Sequence, residues 1–123
     1  MNRQWPQAVQ QSIDRLRSAE NAYITFRDGR RVSGRVVITF DNEDTGRLYI
    51  LFTDDSKNPQ GQYRTFAATF DPMFNGLQLD QSLNNLELDM INNVIKAHLS
   101  KGFLHRTPIC KLYLGDVIEV HFN

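Results

Sequence analysis

The chain has 123 residues, 41% of them hydrophobic and 23% charged, and its 14 basic and 14 acidic side chains cancel. That length suits a single domain over residues 1–123 that buries a core without staples. The composition argues against a membrane-spanning helix, since no apolar run approaches the roughly 20 residues one needs, and a net charge of zero argues against a dedicated nucleic-acid binder.

The charge is unevenly spread. Residues 1–40 carry seven arginines against three acids, net +4; residues 41–90 carry three bases against nine acids, net −6; residues 91–123 carry four bases against two acids, net +2. This asymmetry suits halves that attract each other or a neighbouring subunit. A single cysteine, Cys110, and an N-terminus without an apolar signal core place the chain in the cytoplasm as an expectation.

In chain order, Trp5, Val9, Ile13 and Leu16 recur at spacings of 4, 4 and 3, which predicts a surface helix over 5–19 with Pro6 in its first turn and Asn21 as its stop. Residues 22–41 turn β-branched and aromatic, and Asp28-Gly29 predicts a tight primed hairpin turn. Gly34 inside the second strand predicts a bulge or sharp bend, where a side chain would be in the way. After the turn 41–46, "RLYILFT" is apolar on both faces and reads as a central strand. "DDSKNPQG" reads as a polar loop, "QYRTFAATF" as a fourth strand with Phe66, Ala68 and Phe70 on one face, and "DPMFNG" as a break in the sheet.

The segment 84–100 is the clearest helix. Asn84 and Glu87 have capping-box spacing, and Leu83, Leu86, Met90, Ile91, Val94, Ile95 and Leu99 form one apolar face, with Lys101 and Gly102 as the stop. "KLYLGDVIEVHF" closes the chain as a last strand bent at Gly115-Asp116. The expected fold is α+β: an N-terminal helix, a mainly antiparallel bent sheet or small open barrel of about five strands, and one long amphipathic helix before the last strand.

Chemistry-bearing patterns are sparse. Asp41, Glu43 and Gly46 start like a calcium loop, but its twelfth position is Phe52, where a bidentate carboxylate is required. His98, His105, Cys110 and His121 match no compact zinc spacing. No serine elbow, P-loop or dinucleotide fingerprint is present, and the acid pair Asp54-Asp55 falls in the polar loop with no apolar pocket to raise a pKa. The expectation is a non-enzymatic chain with no cofactor, no metal and no catalytic residues. Five strand phenylalanines (Phe26, Phe40, Phe52, Phe66 and Phe70) are expected in the core; Tyr23, Tyr49, Tyr63 and Tyr113 are expected at sheet edges or subunit contacts.

Two family resemblances accompany this reading. Ile24, Gly34, Phe40, Asp41 and the run Leu48 to Thr53 resemble the first motif of Sm-like proteins, and "LYLGDVIEVHF" resembles the second, although its turn lacks the Arg-Gly of that motif. The resemblance implies a small bent barrel that forms rings and binds RNA, with Asp41 and Asn42 near the RNA loop. The stretch "GRLYILFTDDSKNPQGQYRTFAATFDP", then Leu77 and Leu79 and the helix "NLELDMINNVI", is similar to the domain of unknown function 1292 family, DUF1292, of uncharacterised bacterial proteins, over roughly residues 22–98. That resemblance implies a small bacterial protein with no assigned activity.

The expected function is a protein–protein interaction module, with a protein partner or a second copy of itself. The alternative is an Sm-like RNA binder that uses the basic hairpin. The candidate binding face is Arg27, Arg30, Arg31, Arg35, Asp41 and Asn42.

Overall fold

Helix α1 (Gln7–Ser18) starts at Pro6, whose extended backbone makes it the cap rather than a first-turn residue, and whose carbonyl accepts the Gln10 N–H at 3.0 Å. It ends at Ser18, and the extended Ala19 turns the chain straight into β1, so Asn21 begins a strand instead of stopping a helix. A computed structural model of the chain describes residues 5–57, 63–79, 83–100 and 109–123, with side chains described at these positions except 55–57, 63, 98–100 and 109–111.

After α1 come β1 (Asn21–Phe26), β2 (Arg31–Asp41), β3 (Leu48–Lys57), β4 (Tyr63–Asp71), β5 (Gly76–Leu79), α2 (Asn85–Ser100), β6 (Ile109–Leu112) and β7 (Val117–Phe122). The fold is α+β, as the element order implies. The strands run β5-β4-β3-β2-β1-β7, each neighbouring pair antiparallel, and β6 joins β4 in parallel. The sheet curls into a nearly closed barrel. Two strands exceed the expectation. The segment after "DPMFNG" returns to pair with β4, and the bend at Gly115-Asp116 splits the last strand in two, so that β6 lies on β4 and β7 on β1.

The β1–β2 turn differs from the expected type. Gly29 has positive φ and Asp28 does not. Phe26 O accepts the Gly29 N–H at 2.9 Å, and the Phe26 N–H reaches Arg30 O at 2.9 Å. This is a three-residue loop closed by a glycine bulge, which needs only one left-handed residue.

The bend falls to β2. A Cβ on Gly34 would lie 1.9 Å from Thr53 O, so only glycine admits this approach of β2 to β3. The bulge itself comes later, where the register slips between Val36 and Ile38. The slip changes what β2 shows to the outside: Arg31, Ser33 and Arg35 face out before it, and Ile38 and Phe40 pack under α2 after it.

Three apolar clusters follow from this geometry. The barrel interior holds Ala22, Ile24, Phe26, Phe52, Phe66, Ala68, Val117 and Val120. Helix α1 sets Val9, Ile13 and Leu16 against Leu48, Ile50 and Phe70 at one end, each contributing about 2 kcal/mol of burial. Helix α2 sets Ile91 and Ile95 on Tyr49, Leu51 and Ala67, the outer faces of β3 and β4. Phe26, Phe52, Phe66 and Phe70 are buried, as core aromatics should be.

Gly34→Val should destabilise the fold by about 3 kcal/mol or more in urea denaturation, because no rotamer relieves a clash between Cβ and a backbone carbonyl. A valine that costs less than about 1 kcal/mol would contradict the close approach.

Candidate interaction surface

Each candidate residue of the binding face has a definite place. Arg27 is exposed in the β1–β2 turn, and its backbone N–H bonds Asp116 O at 2.7 Å, tying that turn to the one between β6 and β7. Arg30 pairs with Asp28 at 2.8 Å and lies over the Phe26 ring at 5.0 Å. The Arg30 backbone N–H, and after it the guanidinium, hold the Asp28 carboxyl below its ordinary value. Arg31 and Arg35 project from the outer face of β2, opposite Thr25 and Asn21 of β1.

Asp41 and Asn42 lie at the other end of β2, separated from Arg31 by roughly 30 Å of strand. Asp41 pairs with Arg17 of α1. Asn42 opens the β2–β3 turn, its Oδ1 accepting the Asp44 N–H at 3.0 Å. The structure therefore does not join the four arginines and Asp41-Asn42 into one face.

The outer wall of β1, β2 and β7 has no helix over it among the described residues. A shallow pocket of about 390 Å³ lies there, lined by Tyr23, Thr25, Arg31, Ser33, Glu119 and His121. Glu119 and His121 are 2.7 Å apart on β7. His105, and the side chains of His98 and Cys110, lie outside the described residues; among those described, no cluster of three or more His, Cys, Asp or Glu side chains has metal-binding geometry. No described helix is long and apolar enough to cross a membrane.

Asp54 departs from the loop expected for it. It lies in β3, fully buried, and pairs with Arg64 of β4 inside the barrel. The Arg64 guanidinium sits 5.2 Å from the Phe26 ring, 5.4 Å from Phe66 and 5.8 Å from Tyr113. Aromatic faces and one carboxylate together offset the cost of burying that cation.

The opposite end of the barrel presents apolar groups. In the β4–β5 turn, Met73 is 72% exposed and Phe74 77%, and at the start of α2 Leu86 is 81% exposed. Leu86 thus lies off the apolar face of α2 expected to include it, because that face meets the sheet through Ile91 and Ile95. The turn is braced: Asp71 Oδ1 accepts the Met73 N–H at 2.9 Å, and Asp71 O accepts the Phe74 N–H at 3.2 Å.

Arg47 links the turn to the helix. Its guanidinium lies 3.5 Å from Asp71 and 3.3 Å from Glu87. Glu87 closes the capping box: its N–H reaches Asn84 Oδ1 at 2.9 Å, and its Oε1 accepts the Asn84 N–H at 3.4 Å. Glu87 also accepts the Tyr49 hydroxyl at 2.6 Å. Burial first, then the Glu87 carboxylate, push the Tyr49 phenol from 10.0 to about 12. Burial opposes the charge on Arg47, but Glu87 and Asp71 outweigh it and raise its pKa.

The apolar tip escaped the sequence reading. Its signal was "DPMFNG" itself, two large apolar residues framed by turn formers and a helix cap a few residues on. No protein-family model matches the chain, and no curated protein or solved structure matches it.

Glu87→Gln should lower the Tyr49 pKa from about 12, leaving it above 10.0 because the ring stays buried, as read by phenolate absorbance. The sign for stability is fixed. The folded state keeps this proton to a higher pH than the unfolded chain does, so wild-type stability falls between pH 10 and about 12. In Glu87→Gln that window should narrow. An unchanged phenolate titration would contradict the Tyr49–Glu87 bond.

Proposed function

We propose that this chain is a non-enzymatic protein–protein interaction module whose contact surface is the β4–β5 turn together with the first turn of α2. The observation that carries the reading is the exposure of Met73, Phe74 and Leu86 on braced backbone. Large apolar side chains at a turn tip cost solubility unless something covers them, and Phe and Met are favoured contact residues. Bracing by Asp71 and Arg47 lowers the entropy lost when a partner docks.

A second reading is RNA binding at the outer wall of β1, β2 and β7, where Tyr23, 47% exposed, shares the shallow pocket with Arg31. An aromatic face beside a guanidinium is a stacking platform for a base. Asp28 and Glu119 reduce the positive charge there, which favours the first reading.

Phe74→Asp and Leu86→Glu should each weaken capture of the protein partner at least about tenfold in a quantitative pull-down, with the circular dichroism spectrum unchanged. Partner capture indifferent to both would sink the proposed surface. The RNA reading expects salt-dependent fluorescence anisotropy with a U-rich strand that is lost when Arg27, Arg30, Arg31 and Arg35 are neutralised.

A further inference from the structure

The end of the barrel that carries Met73, Phe74 and Leu86 is also acidic. Leu48 of β3 and Phe70 of β4 are register partners, so the β2–β3 and β4–β5 turns leave strand ends roughly 5 Å apart. Asp41, Glu43, Asp44, Asp71, Glu87 and Asp89 stand on or beside these turns and the start of α2. The cations set among them are Arg17, paired with Asp41, and Arg47, paired with Asp71 and Glu87. Six acids against two bases leave 2 − 6 = −4. On α1, Arg15 is offset by Asp14, and Glu20 follows the helix. Between α1 and the β2–β3 turn lies a groove of about 760 Å³. Trp5, Ile13 and Leu48 give it an apolar side, and Asp41, Glu43 and Asp44 an acidic one, with Arg17 at Asp41. An indole beside carboxylates attracts a lysine or arginine head by charge and by cation–π interaction, while the methylene stem packs on the apolar groups.

We infer that the partner is a basic segment of a different protein with one apolar side. Its apolar side chains cover Met73, Phe74 and Leu86, and one lysine or arginine enters the groove beside Trp5. This inference rests on the interaction surface proposed above and names the chemistry of its occupant. Asp89 lies one helical turn from Leu86, and Glu43 lies in the β2–β3 turn, so an acid stands on each element next to the β4–β5 turn. A second copy does not supply the matching charge: at the hairpin end Asp28, Asp116 and Glu119 offset Arg27, Arg30 and Arg31. The carboxylates also repel the phosphates of an RNA or of an anionic bilayer from this end. Salt weakens the contact, because its charges lie at a solvent-exposed rim.

The test selects a binding peptide without bias and then dissects its contact. A phage-displayed library of random, tryptophan-free peptides is panned on the full chain, and the enriched peptides are synthesised. Binding is read by fluorescence anisotropy and by the emission of Trp5, the single tryptophan. The proteins compared are the wild type, Phe74→Asp, and the pair Glu43→Lys with Asp89→Lys. All the substituted side chains are exposed, and circular dichroism checks that each variant is folded. Enriched peptides should combine lysine or arginine with apolar residues and lack acids. Each variant should bind them at least about tenfold more weakly, and high salt should weaken wild-type binding in the same direction. Binding to the wild type should shift Trp5 emission. Peptides that need Phe74 but are neutral or acidic, that ignore the Glu43 and Asp89 substitutions, or that leave Trp5 emission unchanged overturn the inference while the interaction surface stands. If no enriched peptide depends on Phe74, both fail.

Discussion

The barrel depends on how β2 bends. Gly34 brings the β2 backbone against the Thr53 carbonyl, and the register slip after Val36 adds a residue that turns the strand further. A flat sheet of these strands would leave Phe26, Phe52 and Phe66 on an open face. Curling brings their rings to 5.8 Å and 5.7 Å from one another around Phe66. The same slip divides the outside of β2. The half near the hairpin shows arginines and serine to solvent, and the half beyond it shows Ile38 and Phe40 to α2. One local device therefore sets both the closure and the position of the second helix.

The second helix in turn orders the far end. Its capping glutamate does three things with one side chain: it caps Asn84, accepts the Tyr49 hydroxyl and holds Arg47. Arg47 passes that order to Asp71, whose carboxylate fixes the Met73 amide. A partly buried chain of charged hydrogen bonds is costly to assemble and more costly to interrupt. It holds two elements far apart in sequence at one place on the surface, where their apolar side chains stand exposed.

Much of the fold was legible because it rests on local patterns. The apolar run of β3 announced a central strand, Gly34 announced a close approach, and the spacing of Asn84 and Glu87 announced the cap that forms. What escaped depends on tertiary context. Strand β5 has four residues, too few for alternation to register, and exists because Ala68 to Asp71 offers an edge. The terminal segment reads as one strand until β4 and β1 compete for its two halves. Asp54 reads as loop because its partner Arg64 lies ten residues away on the next strand. The basic hairpin is less positive than its four arginines suggest, since Asp28, two residues away, pairs with Arg30. Leu86 shows the converse error: helical periodicity assigns it a face, and the angle at which α2 meets the sheet decides whether that face is covered.

The central claim is that Arg47 couples the β4–β5 turn to the start of α2 and so holds the exposed apolar groups in place. Amide hydrogen exchange in Arg47→Met tests this most directly. Protection should fall together at Met73, Phe74 and Glu87, while Phe52 in the barrel core keeps its wild-type rate. Loss at one of the two elements alone, or at neither, would show that the turn and the helix are held independently and would contradict the account.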